Sequence, residues 1–440
     1  MMIEGFSELS PDEKVKLASG LVADADGFKR DLVSHRHTVK AYQKIYSQLS
    51  ENTVSNFFLP YSLAPNFLIN GKEYMVPMVT EESSVVAAAS AAAKYWYTRC
   101  GFRSRVVSAV KTGQVHFMWH GDTVKLQDMI GRTSHMLLAA AEPLTEGMKK
   151  RGGGILNIRL VDMREYLPGY YQLNVTFDTL DSMGANFINS VLENIAEEFK
   201  RLVISWGDFN DKERIIEIVM SILSNYAPEC LVECYVESPL QQLTGAPGNI
   251  TPKEFARKFK LAVDIAGVDI YRAVTHNKGI FNGIDAIAIA TGNDFRAIEA
   301  QGHAWATRSG KYCALTEVSV YNNTFRFQIT VPVTIGTVGG ITRIHPLAKR
   351  SLEMLGNPGA DELMQIIASV GLASNFSAVR SLVSGGIQSG HMKLHLANIL
   401  QNFMASDKEK RSALSHFKNK TVSYSAVEDY LRGVRKENNK

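Results

Sequence analysis

The chain has 440 residues, 45% hydrophobic and 21% charged, with a formal net charge of +4; that is enough for two or three domains with sizeable cores and too balanced for a nucleic-acid surface. Its four cysteines, Cys100, Cys230, Cys234 and Cys313, are dispersed, which excludes a disulfide framework and fits a reducing compartment. The start, MMIEGFSELSPDE, has no apolar stretch of signal-peptide length, and no segment offers ~18 uninterrupted apolar residues, so a cytoplasmic protein without a membrane partner is expected.

Ser10-Pro11-Asp12-Glu13 is a helix start, with a serine cap, proline at the first helical position and glutamate three residues after the cap. Mixed-charge helix follows to about Ser50, with His35 and His37 on a solvated face. Pro60, Pro65 and Gly71 punctuate loop and strand up to about Thr80. From Ser83 an alanine-rich helix begins, with Glu81 and Glu82 at its mouth, where the helix dipole alone favours a carboxylate.

From about Val106 the character changes to short strands, Val115 to Trp119, Ile155 to Leu160 and Gln172 to Phe177, with two helical stretches among them. This pattern predicts an inserted α/β domain. Asp181-Ser182-Met183-Gly184-Ala185-Asn186 then opens an amphipathic helix with Phe187, Val191 and Ile195 on one face. A small-residue turn at a helix start is a natural seat for a phosphate, although no GxGxxG fingerprint occurs in the chain. Gly152-Gly153-Gly154 lies in the same domain, either as a flexible turn or as part of that seat. Cys230 and Cys234 are four apart, but no neighbouring pair completes a zinc site, so both read as buried small apolar residues.

Thr275 to Ala300 carries the densest signal. Lys278 lies in a Gly/Asn-rich stretch that reads as a turn, Ile284 to Thr291 reads as a buried strand, and Asp294 follows a second Gly-Asn turn that opens a helix. A strand ending in such a turn is where α/β proteins hold their chemistry. Lys278 and Asp294 are therefore a candidate working pair; the plainer reading makes them a solvated loop lysine and a helix N-cap. Thr337 to Leu347 is a further Gly-rich turn, expected to pack around the site. After hinge-like glycines from Gly385 come His391 and His395, four apart without a third ligand, so no metal is expected. A capping-box start is read at Ser425 to Glu428.

The run HNKGIFNGIDAIAIATGNDFRAIEAQGHAWATRSG resembles the core signature of 3-hydroxy-3-methylglutaryl-coenzyme A reductase, in its soluble class II form. ENTVSNFFLPYSLAPNFLINGKEYMVPMVTEESSVVAAAS, DSMGAN and GGIQSGHMKLHLANI agree with it in the family's order, and Thr53 to Phe57 departs from it where many relatives have a glycine-containing turn. The resemblance implies an α+β fold: a large mixed α/β substrate-binding domain (1–107 and 216–384), an inserted small ferredoxin-like α/β dinucleotide-binding domain (108–215), and a helical C-terminal flap (385–440). It implies reduction of the hydroxymethylglutaryl-CoA thioester by two hydrides to mevalonate and CoA, or the reverse, at a site formed between the two subunits of a homodimer.

By the same resemblance Glu82, Lys278, Asp294 and His391 are the catalytic residues, and Ser84, Arg272, Asn225 and Asn282 contact substrate. The dinucleotide, NADPH or NADH, falls to Asp181, Met183, Gly184, Ala185 and Asn186. Thr145 aligns where NAD-preferring relatives carry an acid, and Lys149, Lys150 and Arg151 could meet a 2′-phosphate, which favours NADPH. A reductase of another branched acyl-CoA is disfavoured by Arg272 and Ser84, and a CoA-thioester binder without turnover is disfavoured because all four catalytic residues are present.

Overall fold

The computed structural model describes residues 2–245, 250–384, 396, 399–417, 420 and 422–438. The chain opens with three short helices, α1 (Pro11–Ser19), α2 (Ala25–Ser34) and α3 (Lys40–Ser47). The capping box at α1 forms as its sequence dictates: Ser10 Oγ accepts from Glu13 N–H at 3.3 Å and Glu13 Oε2 accepts from Ser10 N–H at 2.8 Å. Strands β1 (Tyr61–Ile69) and β2 (Lys72–Val79) then form an antiparallel hairpin. Its two loop residues, Asn70 and Gly71, both take positive φ (51° and 85°), as a tight twisted hairpin requires. Helix α4 (Val85–Tyr97) follows and buries Ala89, Ala92 and Ala93.

The large core is built on a four-stranded antiparallel sheet in the order β3 (Arg103–Ala109), β8 (Cys230–Pro239), β10 (Thr324–Pro332), β9 (Thr316–Tyr321). Helices α8 (Pro252–Val268), α9 (Ile270–Ala290), α10 (Phe295–Ala306), α11 (Ile341–Ile344), α12 (Pro346–Met354) and α13 (Ala360–Ser384) complete it. By length and composition α13 is apolar enough to cross a membrane, yet 72% of its most apolar window is buried inside the protein, as a core helix requires.

Helix α9 corrects the expectation for Thr275 to Thr291. Lys278 is in the middle of a 21-residue helix, and Ile284 to Ala290 is its C-terminal half rather than a strand. The apolar run is buried on nearly every side, and an all-buried run looks the same whether helical or extended. The glycines are not turn formers here. A Cβ on Gly283 would lie 2.4 Å from Ser374 Oγ and 2.8 Å from Val370 O, so this glycine lets α9 and α13 touch backbone to backbone.

The inserted unit runs β4 (Lys111–Trp119), α5 (Thr123–Ala140), α6 (Glu142–Lys149), β5 (Gly154–Asp162), β6 (Tyr170–Asp178), α7 (Ala185–Ser205) and β7 (Ile216–Leu223). Its sheet order is β5-β6-β4-β7, with every neighbouring pair antiparallel, the split βαβ topology of ferredoxin-like folds. Because β7 pairs with β4, the sheet reaches Leu223, beyond the boundary expected at 215. Strict alternation along β4 and β6 sends Val115, Phe117, Trp119, Tyr171, Leu173, Val175 and Phe177 inward against Ile188, Val191, Ile195 and Phe199 of α7. Each large buried side chain contributes roughly 1.5–3 kcal/mol.

Beyond α13, helices α14 (Asp407–His416) and α15 (Tyr424–Asn438) enclose a small core with Phe417, Val427 and Leu431. The cap of α15 is Ser423, whose Oγ accepts from Ala426 N–H at 3.2 Å, two residues before the expected Ser425.

Candidate active site

Lys278 and Asn282 lie four residues apart on α9, on one face of the helix. The helix around them is fixed by buried polar side chains. Asn277 donates to Cys313 O at 3.0 Å and accepts from Leu315 N–H at 3.0 Å, and Asn375 donates to His276 O at 2.9 Å. His276 Nε2 meets Thr316 Oγ1 at 2.5 Å. Burial, with the Arg272 guanidinium beside it, pushes His276 down to about 3, so it is a neutral structural group.

Glu82 comes to Lys278 from the junction of β2 and α4, where its own N–H donates to Thr80 Oγ1 at 3.2 Å. Lys278 Nζ donates to Glu82 Oε2, and both side chains keep about half their surface open (58% and 43%). Ser84 starts α4 with φ of 77°. A non-glycine residue held there costs about 1 kcal/mol and marks a position the surrounding structure over-determines. Ser377 of α13 donates to Ala88 O at 2.6 Å and ties α13 to that helix.

Asp294 is not the partner of Lys278 within the chain, which corrects the expected pairing. Twelve residues of helix separate Lys278 from Ala290, a rise of about 18 Å. Asp294 instead caps α10, its Oδ1 accepting from the N–H groups of Arg296 at 3.1 Å and Ala297 at 3.2 Å and from Arg296 Nε at 3.1 Å. Burial works against its charge, but the Arg296 guanidinium and the Ala297 N–H outweigh it and hold the carboxyl below its ordinary range. Arg272 is half-buried two turns before Lys278, and six residues of helix turn it about a third of a circle away from that face. Asn225 is exposed on the loop between β7 and β8. His391 and His395 lie outside the described residues.

The second feature is a cleft of about 1120 Å³ between the two sheet units. Its walls include Ser182 to Phe187 at the head of α7, Asn293 to Arg296, and Val338 to Thr342. Met183, Gly184, Ala185 and Asn186 are thus brought together with Asp294, while Lys278 and Glu82 are not on these walls. Gly184, the N-cap of α7, has φ of 84°, and a Cβ there would lie 2.6 Å from Thr179 Cγ2. A Cβ on Gly336 would lie 2.4 Å from Met183 N. Neither position has room for a side chain, so Thr179 and Gly336 pack directly against the turn that leads into the positive end of a 21-residue helix, a place suited to an anion.

Two expected dinucleotide residues face elsewhere. Asp181 Oδ1 accepts from Ala360 N–H at 2.7 Å and its carbonyl accepts from Thr337 and Val338 N–H, so it binds the turn to the large unit. Thr145 is fully buried in α6, its hydroxyl on Glu142 O, and presents nothing to the cleft. Lys149 and Lys150 pair with Glu142 and Glu146. Arg151 instead borders a recess of about 590 Å³ at the edge of the cleft, together with Ser182, Val338 and Arg343. Arg343, with no ion-pair partner among the described residues, lies in the turn expected to pack around the site but was not singled out as a contact, and the cleft aromatics Tyr46 and Phe58 were not legible as site residues. Only the double phenylalanine, with Phe57 89% exposed, gave a compositional signal.

The family model described as hydroxymethylglutaryl-coenzyme A reductase matches residues 19–396. The chain is 34% identical over 400 residues to the 3-hydroxy-3-methylglutaryl-coenzyme A reductase of Archaeoglobus fulgidus, covering 90% of this chain and 86% of that protein. It is 33% identical over 393 residues to the probable enzyme of that name from Borreliella burgdorferi, covering 88% and 87%. Among solved structures, the Streptococcus pneumoniae reductase superposes with a TM-score of 0.73 at 36% identity, covering 99% of this chain and 100% of that one. The class II reductase of the same organism bound to NADPH in open conformations gives 0.71 at 38% identity, covering 87% and 100%.

Proposed function

The chain belongs to the hydroxymethylglutaryl-coenzyme A reductase family, oxidoreductases of the mevalonate pathway, and on that premise we propose how its residues divide the reaction. The substrate is the thioester of 3-hydroxy-3-methylglutaric acid with CoA, and the products are mevalonate and free CoA. A dinucleotide held in the cleft would supply the hydride of the first reduction, and a second reduced molecule, exchanged for the oxidised first, that of the second. Every other part falls to side chains of this protein.

The Lys278 ammonium sits where the thioester oxygen becomes an oxyanion and stabilises that charge. Glu82, in contact with Lys278, gives the proton that the aldehyde oxygen takes up in the second reduction. His391 protonates the departing CoA thiolate, for which imidazole has the suitable range. Ser84, Asn282 and Asn225 hydrogen-bond the hydroxymethylglutaryl group, and the planar fork of Arg272 takes its free carboxylate.

Asp294 acts from a second copy of the chain. It shares a cleft with the dinucleotide turn, and Lys278 and Glu82 are not on the walls of that cleft, so the site that contains both residues is assembled from two chains. A homodimer supplies them, with substrate on one subunit and dinucleotide on the other. The turn Met183 to Asn186 and the head of α7 hold the pyrophosphate, and Arg151 and Arg343 at the edge recess take a 2′-phosphate, which selects NADPH. The free cysteines fit a cytoplasmic location.

The single observation that carries this reading is the Lys278–Glu82 ion pair, left open to solvent one helical turn from Asn282. Absorbance at 340 nm with hydroxymethylglutaryl-CoA tests it, run in parallel with NADPH and NADH. Two equivalents of cofactor consumed per CoA released is the expected result. Folded protein that binds the thioester and consumes neither cofactor refutes the reading.

A further inference from the structure

Lys111, the first residue of β4, is 5% exposed and has no part in the chemistry above. Its ammonium lies directly beneath the dinucleotide turn. Nζ donates to Thr179 Oγ1 at 2.5 Å and to Ser182 O at 2.6 Å, and Thr179 Oγ1 in turn donates to Ser182 O at 2.6 Å. Burial pushes the lysine down, opposed by Cys230, Asp178, Asp181 and Asp361 around it. An ammonium is a costly group to bury, and an apolar side chain at the base of a sheet would pack at lower cost.

What the ammonium does for the turn follows from the planarity of the peptide. The carbonyl of Ser182 and the N–H of Met183 belong to one trans peptide and point in opposite directions. Holding Ser182 O down on Lys111 and Thr179 turns Met183 N–H the opposite way, toward the Gly336–Val338 segment with which Ser182 forms a parallel bridge. Gly336 lies flat against this same peptide, without room for a Cβ, and Asp181 just before it is clamped to Ala360, Thr337 and Val338. The turn is therefore gripped from the large unit on one side and from Lys111 on the other.

We infer that Lys111 is a positioning residue for the dinucleotide, fixing the Ser182–Met183 peptide and with it the course of the turn into the head of α7, whose N–H groups bind the pyrophosphate. The inference rests on the proposed dinucleotide site. Thr179 is the relay in the arrangement, since its hydroxyl accepts from Lys111 and donates to the same carbonyl while its methyl packs under Gly184.

The test uses the full chain, with NADPH binding read from its fluorescence and steady-state constants measured for both substrates. Lys111→Met keeps the length of the side chain and removes the donors. Loss of a charged hydrogen bond to the turn is expected to raise the Kd and KM for NADPH about tenfold, with the KM for the thioester within about twofold. Thr179→Val, a milder change that keeps the lysine, is expected to shift NADPH binding about threefold in the same direction, and it decides the matter if Lys111→Met does not fold. NADPH affinity unchanged in the folded variants, or both KM values moving together, overturns the inference. Wild-type protein that binds no dinucleotide overturns the underlying site instead.

Discussion

Lys278 and Glu82 meet in an ion pair although 196 residues separate them in the chain, one from the middle of α9 and the other from the loop that starts α4. Both stay half exposed, so their contact contributes little to stability. A pair that stabilises little, with its lysine on a helix held rigid by buried Asn277 and Asn375, fits the catalytic role proposed for it.

Lys278→Ala removes the only positive charge assigned to the thioester oxygen. The turnover number is expected to fall about 100-fold to 1000-fold, with affinity for the thioester within a few-fold and the melting temperature almost unchanged. Single-turnover absorbance at 340 nm, paired with thermal unfolding, reads both; near-normal turnover removes Lys278 from the mechanism.

The placement of Lys278 with Glu82 and of Asp294 in the cleft, apart within one chain, predicts complementation between inactive chains. Lys278→Ala and Asp294→Asn are each expected to be inactive as pure proteins. Unfolded together and refolded, half the dimers are mixed and carry one intact site of two, so activity is expected to return to about a quarter of wild type. A mixture as inactive as its components shows that the two residues do not share a site across subunits.

Arg151 and Arg343 border one recess from two different units of the fold. Each changed to alanine is expected to raise the KM for NADPH about tenfold and to leave NADH within about twofold, because only the phosphorylated ribose presents a dianion. Equal effects on both cofactors place the 2′-phosphate elsewhere.

Asp285 of α9 is set against Glu299 of α10, its Oδ1 buried without a hydrogen-bond partner among the described residues, and burial, followed by the Glu299 charge, pushes it up to about 8. The folded chain keeps this proton up to that pH, whereas the unfolded carboxyl loses it near its ordinary 3.8. Between those values the folded state binds more protons, so stability falls as pH rises and the loss is complete above about pH 8. Asp285→Asn abolishes that titration. The drop in melting temperature from about pH 6 to about pH 9 is expected to be smaller in the variant by ~2 °C or more; parallel curves for the two proteins count against a proton held on Asp285.

The local signals in the sequence were strong where chemistry is local. The Ser10 capping box, the alternation along β4 and β6, and the small-residue start of α7 each depend on side chains a few positions apart, and each is found where those side chains require it. Motif resemblance singled out Glu82, Lys278 and Met183 to Asn186, because residue type and order survive without coordinates. The family followed from the same motifs.

Tertiary structure decided the rest. Whether Ile284 to Ala290 is strand or helix depends on what covers it, and α13, reaching α9 through Gly283, made it helix. With α9 helical, Lys278 lies about 18 Å from the end of the helix at Ala290 and has Glu82 as partner. The direction of Asp181 toward Ala360, the burial of Thr145 and the position of Arg343 beside Arg151 were fixed in the same way, by contacts between elements far apart in the chain. Sequence determined which side chains and which short-range turns were available, since those depend on neighbours along the chain; only packing between elements far apart in the chain, such as the large sheet against α13 and the β1–β2 hairpin against α9, determined which of them face each other, since that depends on neighbours in space.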